Sequence, residues 1–341
     1  MLVSELDYEL PEDLIAQRPA EPRDASRLMV VDVRHNTIAH HTFCDLPDFL
    51  HPGDALVLNE TKVIPARVET RKLTGGAVEL LFLRDLGRRD LGPDLDGSWE
   101  VLARPSKRLR PGMVLSAGGE DLRLVKSLGD GHWAVSGPDL PGLLHRSGRM
   151  PLPPYIRPTP EAEDRYQTVY ARNEGSAAAP TAGFHFTERV LGDVERAGAD
   201  VARITLHVGV GTFMPVRTER LEEHTIHAEH YSVPGEAAQT VRDARRVVAA
   251  GTTVARTLET WAQTGETEGE SELFVYPGYR WLAVDALLTN FHLPRSTLLA
   301  MVMSFGGEDL IREAYRTAVR ERYRFYSFGD AMLLLDGGRR R

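Results

Sequence analysis

Thr187-Glu188-Arg189-Val190-Leu191-Gly192-Asp193-Val194-Glu195-Arg196-Ala197-Gly198-Ala199-Asp200-Val201-Ala202-Arg203-Ile204-Thr205-Leu206-His207-Val208 changes its hydrophobic period once. Thr187 is placed to N-cap a helix, Glu188 lies in its first turn, and Val190, Leu191, Val194 and Ala197 fall on one face. Gly198 follows where that helix has to stop. Residues 201–208 then read as a strand that delivers His207 at its carboxyl end. A helix leading at once into an apolar strand is the repeating unit of an α/β sheet.

Working outward, the same texture recurs. A second helix is expected over 237–250, with Val241, Ala244, Val247 and Val248 inward and Gly251 closing it. Strands are expected at 252–257, 273–276 and 284–288, and a last amphipathic helix at 309–322. Upstream lie a short helix start at 10–16, a strand at 28–33, and a buried strand at 55–58 after the turn Pro52-Gly53-Asp54. Between 63 and 150 the pattern differs. Short β-like runs at 67–73, 77–84, 99–103, 113–116, 122–127 and 132–136 alternate with turn clusters such as Gly75-Gly76, Pro111-Gly112 and Gly118-Gly119. Residues 85–97, rich in Gly and Asp, read as a mobile loop among them. The expected fold is therefore α/β: a discontinuous α/β layered domain (1–62 and 151–341), its sheet largely parallel, with an inserted small β-barrel domain (63–150).

With 341 residues, 42% hydrophobic and 26% charged, the chain has material for two cores. There is no basic-plus-apolar leader and no run of 18 apolar residues, and Cys44 is the single cysteine. These features predict a cytoplasmic protein without disulfides or a cysteine-based zinc site. The net charge of −8 argues against a nucleic-acid partner as a global average. Local patches escape that average, and Arg104, Lys107, Arg108 and Arg110 form one, with Arg339-Arg340-Arg341 another.

Five of the 12 histidines (His185, His207, His224, His227 and His230) fall between 180 and 231. Imidazole titrates near neutrality, so this density beside Gly-rich turns and aromatics marks a candidate reaction site, against the alternative of co-located structural histidines. His224-x-x-His227-x-Glu229 invites a metal reading. Gly209-Val210-Gly211 follows a strand as a nucleotide loop does, although the third Gly of the dinucleotide fingerprint is absent. Asn290-Phe291-His292-Leu293-Pro294-Arg295-Ser296-Thr297 is a second polar–aromatic cluster after an apolar strand, where α/β proteins place ligand groups.

Several segments together resemble one family, the S-adenosylmethionine:tRNA ribosyltransferase-isomerases of queuosine biosynthesis. They are Asn59-x-Thr61-x-Val63-Ile64-Pro65-Ala66-Arg67, Met150-Pro151-Leu152-Pro153-Pro154-Tyr155-Ile156, Tyr166-Gln167-Thr168-Val169-Tyr170 and Ala179-Pro180-Thr181-Ala182-Gly183-Phe184-His185-Phe186. Thr205-Leu206-His207-Val208-Gly209, Gly211-Thr212-Phe213-x-Pro215-Val216-Arg217, the His224/His227/Glu229 pattern, Thr289 to Thr297 and Tyr323 to Met332 continue the match in the family's order. One departure is Val254-Ala255 after Thr252-Thr253, where many relatives carry Ser.

The resemblance implies transfer and isomerisation of the ribosyl portion of S-adenosylmethionine onto 7-aminomethyl-7-deazaguanine at the tRNA wobble position. The product would be epoxyqueuosine-tRNA, with adenine and methionine released. It implies a monomer using no metal and no prosthetic group, with S-adenosylmethionine and the tRNA anticodon loop as partners and no membrane. The sulfonium acidifies the ribose C5′ hydrogens, so a base is needed there, and adenine leaves more easily when protonated or hydrogen-bonded. His185, His207, His227 and Glu229 are the expected acid–base group, Glu229 by orienting an imidazole. Thr181, Gly183, Phe184, Phe186, Gly209, Gly211, Thr212, Phe213, Asn290 and His292 are expected around the ribosyl donor. Asn59, Lys62, Arg67, Arg104, Lys107, Arg108 and Arg110 are expected to meet the tRNA. Two other classes compete with this reading: an RNA-binding module without catalysis, and a metal-dependent hydrolase.

Overall fold

The computed structural model describes residues 1–87, 95, 97–209, 216 and 218–339. In chain order its elements begin with β1 (Arg27–Asp32), β2 (Thr37–Thr42), β3 (Asp54–Asn59) and β4 (Thr61–Val63). Next come β5 (Arg67–Lys72), β6 (Ala77–Asp85), β7 (Ser98–Arg104), β8 (Val114–Ala117), β9 (Glu120–Gly129), β10 (His132–Ser136) and α1 (Leu140–Ser147). Then α2 (Pro160–Arg165), β11 (Asn173–Ser176), α3 (Glu188–Arg196), β12 (Asp200–Leu206), β13 (Glu229–Ser232), α4 (Gly235–Asp243) and β14 (Arg246–Ala250) follow. The last are α5 (Thr252–Thr264), β15 (Glu268–Ser271), β16 (Ala286–Asn290), α6 (Thr297–Gly306), α7 (Glu308–Arg320) and β17 (Ala331–Leu335). Two compact units result: Met1–Thr61 with Pro154–Asn173 and Pro180–Arg341, and Lys62–Pro153 with Glu174–Ala179.

The first unit is built on a nine-stranded sheet ordered β15-β13-β12-β3-β14-β16-β17-β1-β2. Its centre, β12-β3-β14-β16, is parallel throughout, so those four carboxyl ends share one edge. The flanks are mixed: β17 on β16, β13 on β12, β15 on β13 and β2 on β1 are antiparallel, and β1 on β17 is parallel. The sheet is thus mixed where a largely parallel one was expected. For β1 and β2 the reason is local: they are joined by a tight turn with Asn36 at φ +56°, too short for a parallel crossover. Every residue of β3 is buried, as a strand covered on both faces requires. Leu56 and Leu58 of β3 pack with Val190 and Val194 of α3, Val248 of β14 and Leu288 of β16. Each such side chain contributes about 1.5–3 kcal/mol of burial.

The helix–strand stretch 187–208 folds as its pattern predicts. Thr187 Oγ1 accepts from Val190 N at 3.2 Å and donates to Asp24 Oδ2 at 2.8 Å, a cap worth about 1 kcal/mol. Gly198 sits at φ +87°, where a side chain is disfavoured, and turns the chain into β12. The region 237–257 corrects the expectation. One helix followed by a strand was predicted; the structure has α4, then the strand β14, then the helix α5. The apolar run Val247-Val248-Ala249-Ala250 suits either state, and the ladder to β3 and β16 decides it. Gly251, at φ +108°, opens α5 instead of closing α4. Residues 273–276 are irregular, and residues 10–16 hold only a 3₁₀ turn, Glu12–Leu14. The helix α6 was not anticipated because it is buried nearly all round and shows no polar face.

The second unit contains a closed barrel, ordered β10-β7-β6-β5-β8-β9, and its strands match the predicted runs within a few residues. Inward positions alternate along β5 (Val68, Thr70) and β9 (Leu122, Leu124), and closure leaves no free strand edge. Glu174–Ala179, placed by sequence in the α/β domain, belongs to this unit; Ile64 N donates to Ser176 O at 3.0 Å. Most of the loop 85–97 lies outside the described residues. Among the described residues, no helix is long and apolar enough to cross a membrane.

Candidate active site

Polar side chains gather at the carboxyl edge of the four parallel strands. The chain leaves β3 for β12 on one side and later enters β14 on the other, a topological switch point. Asn59 ends β3 there. Its Nδ2 donates to Leu206 O (3.0 Å) and Thr253 Oγ1 (3.3 Å), and its Oδ1 accepts from Thr61 N and Leu206 N, both at 3.1 Å. Asn59 is fully buried and all its valences are spent inside, so the expected contact with tRNA is corrected: it is a strut joining β3, β12 and α5.

His207 stands at the end of β12. Its Nδ1 shares a 2.8 Å hydrogen bond with Thr61 Oγ1, its backbone N donates to His230 O at 3.0 Å, and its ring stacks on His230 with centroids 6.1 Å apart. The ring is only half-buried. Two residues on, Gly209 N donates to Glu229 Oε1 at 2.7 Å. Glu229 Oε2 is paired with Arg256 of α5, and both side chains are buried. Burial pulls the Arg256 guanidinium down to about 10. Glu229 therefore holds a backbone amide and a buried cation. His227 is exposed, and His224 is half-buried against Phe274. Burial, then the charge of His227, holds the His224 imidazole below its ordinary range. Among the described residues no group of three His, Cys, Asp or Glu is arranged to hold a metal ion, so the His224/His227/Glu229 metal reading has no ligand set there.

His185 and His292 are a different kind of residue. Asn290 Nδ2 donates to Tyr326 O and to His185 Nε2, each at 3.1 Å, which places the ring proton of neutral His185 on Nδ1, 2.7 Å from Ser26 Oγ. Thr181 Oγ1 donates to Asn290 Oδ1 at 3.3 Å, and Phe43 stacks on the His185 ring at 5.0 Å. His292 Nε2 bonds Thr289 Oγ1 at 2.7 Å. Burial pushes both imidazoles down to about 3, helped at His185 by the charges of Arg324 and Arg23. His185 is thus a neutral strut near pH 7, which corrects its place among the acid–base candidates, and His292 is a buried brace. A stability consequence follows. Unfolded histidine binds a proton below about pH 6.5, whereas these two stay neutral in the fold until about pH 3. The unfolded chain therefore binds more protons in that window, and stability falls as pH drops through it, by up to about 1.4 kcal/mol per pH unit per histidine. His292→Gln should flatten the acid limb of denaturation midpoint against pH by about one proton; an unchanged slope would contradict a neutral His292.

Phe184 and Phe186 are core residues. Phe184 stacks on Phe328 at 5.7 Å, and Phe186 meets Phe43 edge-on at 5.0 Å; both are 2% exposed or less. Gly183 is sterically required, because a Cβ there would lie 2.3 Å from Tyr170 Oη. Gly211, Thr212 and Phe213 lie outside the described residues. In the barrel unit, Arg67 is held by Glu79 (3.0 Å to each oxygen) and Lys62 by Glu174 (3.0 Å), so their charges are neutralised locally. Arg104, Lys107, Arg108 and Arg110 are exposed and form no ion pair among the described residues. Thr61, Ser26, Thr253 and Arg256 were missed as site residues. Asn59-x-Thr61 at the end of an apolar strand was the available signal for the first; nothing local marks the others.

The geometry defines an α/β enzyme with a barrel inserted in its chain and its polar centre at the switch-point edge of the sheet. The model of the queuosine biosynthesis protein family matches residues 3–334. An S-adenosylmethionine:tRNA ribosyltransferase-isomerase of Rubrobacter xylanophilus is 70% identical, covering 99% of each chain. One of the same name from Moorella thermoacetica is 52% identical over 98% of this chain and 100% of that one. The crystal structure of an S-adenosylmethionine tRNA ribosyltransferase from Thermotoga maritima superposes with a TM-score of 0.56 at 38% identity, covering 97% of this chain and 100% of that chain. The chain belongs to the S-adenosylmethionine:tRNA ribosyltransferase-isomerase family of queuosine biosynthesis proteins.

Proposed function

We propose that the chain moves the ribosyl portion of S-adenosylmethionine onto 7-aminomethyl-7-deazaguanine at the tRNA wobble position and isomerises it, giving epoxyqueuosine-tRNA with adenine and methionine released. Identity of 70% across the whole length to a ribosyltransferase-isomerase is the observation that carries this reading. The half-buried His207, hydrogen-bonded by Thr61 at the switch-point edge, supports it as the proton-transfer group. A base there removes a ribose C5′ proton beside the sulfonium, the resulting ylide collapses with loss of adenine, the aminomethyl nitrogen attacks, and loss of methionine closes the epoxide. Glu229 acts by holding the Gly209 amide next to His207. Arg104, Lys107, Arg108 and Arg110 of the barrel unit, exposed and without an ion pair among the described residues, suit phosphates of a single-stranded loop. The protein works in the cytoplasm as a monomer, with S-adenosylmethionine as substrate and no metal or prosthetic group.

Incubation of the purified protein with S-adenosylmethionine and tRNA bearing the deazaguanine precursor, followed by mass spectrometry, tests the reading. Adenine, methionine and the enlarged nucleoside are expected, and methylated RNA or no new nucleoside would refute it. Reversing Arg108 to Glu should weaken tRNA binding, and reduce its salt dependence, without altering S-adenosylmethionine binding.

A further inference from the structure

Among the buried polar atoms of the first unit without a hydrogen-bond partner among the described residues are Glu60 Oε2, Thr168 Oγ1, Tyr170 Oη and Arg203 Nε. Glu60, Thr168 and Tyr170 are each more than nine-tenths buried. Strand register places them on one face. Arg203 of β12 pairs with Leu58 of β3, and Glu60 N donates to Ile204 O at 2.9 Å, so Arg203, Leu58 and Glu60 share a side. Tyr170 packs in the core on that same side, with Leu58. Asn173 Nδ2 ties Glu60 to β12, donating to Glu60 Oε1 (3.2 Å) and Thr205 Oγ1 (2.7 Å), and leaves Oε2 with only a loose 3.9 Å approach from the exposed Arg172. The Tyr170 and Thr168 side chains meet over Gly183, whose missing Cβ makes the room. Burial pushes the Tyr170 phenol above its ordinary range, and the Arg203 charge opposes that rise.

Buried donors and acceptors are nearly always satisfied, so several without a protein partner on one side of the sheet suit a polar ligand. These groups comprise an anion acceptor set (Arg203, Tyr170, Thr168) beside a carboxylate oxygen. A zwitterion matches both. We propose that this cluster is the receptor for the α-amino acid end of the ribosyl donor, its carboxylate on Arg203, Tyr170 and Thr168 and its ammonium on Glu60. The assignment rests on the ribosyl-donor reading above. It also gives Gly183 a role: a Cβ there would lie 2.3 Å from the Tyr170 hydroxyl and 2.7 Å from the Thr168 methyl, and would push both side chains out of place.

The test measures binding of S-adenosylmethionine and of decarboxylated S-adenosylmethionine, which keeps the sulfonium and the amine, to the purified full chain by calorimetry. Arg203→Met should weaken S-adenosylmethionine by about 10- to 100-fold and the decarboxylated analogue by no more than about twofold. Glu60→Gln should weaken both ligands. Tyr170→Phe, which deletes an unpartnered hydroxyl, should leave the melting temperature of the free protein unchanged or raised while lowering S-adenosylmethionine affinity about tenfold. A purely structural hydroxyl would not separate those two readouts. Equal losses for both ligands in Arg203→Met, or wild-type affinity in Arg203→Met and Tyr170→Phe, would overturn the assignment and leave these atoms to ordered water. Failure of the wild-type chain to bind S-adenosylmethionine would instead remove the ribosyl-donor reading, and this assignment with it.

Discussion

His207→Ala should lower the single-turnover rate of ribosyl transfer by about 100- to 10,000-fold, or roughly 3–5 kcal/mol, while changing S-adenosylmethionine affinity by no more than a few-fold. Of the histidines near the sheet's carboxyl edge, His207 combines an approachable ring with a fixed one. Its Nδ1 is held by Thr61 Oγ1 at 2.8 Å, it stacks on His230, and it remains half-exposed. His185 and His292 are buried, bonded on the ring and neutral to about pH 3, which leaves them no proton to exchange at working pH. His185→Gln should therefore act mainly on stability, and Thr61→Val should cost rate by loosening the His207 ring. A rate for His207→Ala near that of wild type would move the proton transfer to another group, with His227 next in line because it is exposed.

The second large effect falls on stability. Glu229→Ala leaves the Arg256 guanidinium, 7% exposed, without its counter-charge and frees the Gly209 amide. Removing one partner of a buried ion pair costs about 3–5 kcal/mol, which corresponds to a fall in melting temperature of roughly 10 °C. The double variant Glu229→Leu/Arg256→Met should regain most of that loss, since a well-packed apolar pair replaces the ions. It should not regain activity, because the Gly209 N–H stays unpinned next to His207. Thermal melts of the two variants and the wild type beside single-turnover rates separate the two contributions. Glu229→Ala melting with wild type would show that the pair does not hold this part of the fold.

Much of this architecture is written locally. The switch from helical to extended period at Gly198, the six alternating runs of the barrel and the polar ends of apolar strands all survive folding, because each depends on neighbours in the chain. Residues 237–257 show where that stops. Val247 to Ala250 satisfies helix and strand patterns equally, and only hydrogen bonds to β3 and β16, far away in sequence, choose the strand. The site shows the same boundary. Clustering of His185, His207 and His227 was visible as composition, yet their roles diverge through burial: one is sealed in the core, one half-open and one exposed.

The sequence by itself determined the two-part plan, the family and the set of residues from which a site is drawn, since period, turn chemistry and motif order are properties of the string. Tertiary structure alone decided which of those residues face which. It turned Asn59 from an RNA contact into an internal strut, joined Glu229 to Arg256 across 27 positions, and set Glu60, Tyr170 and Arg203 on one side of the sheet. Those outcomes follow from strand register and desolvation, which arise only when distant segments are brought into contact.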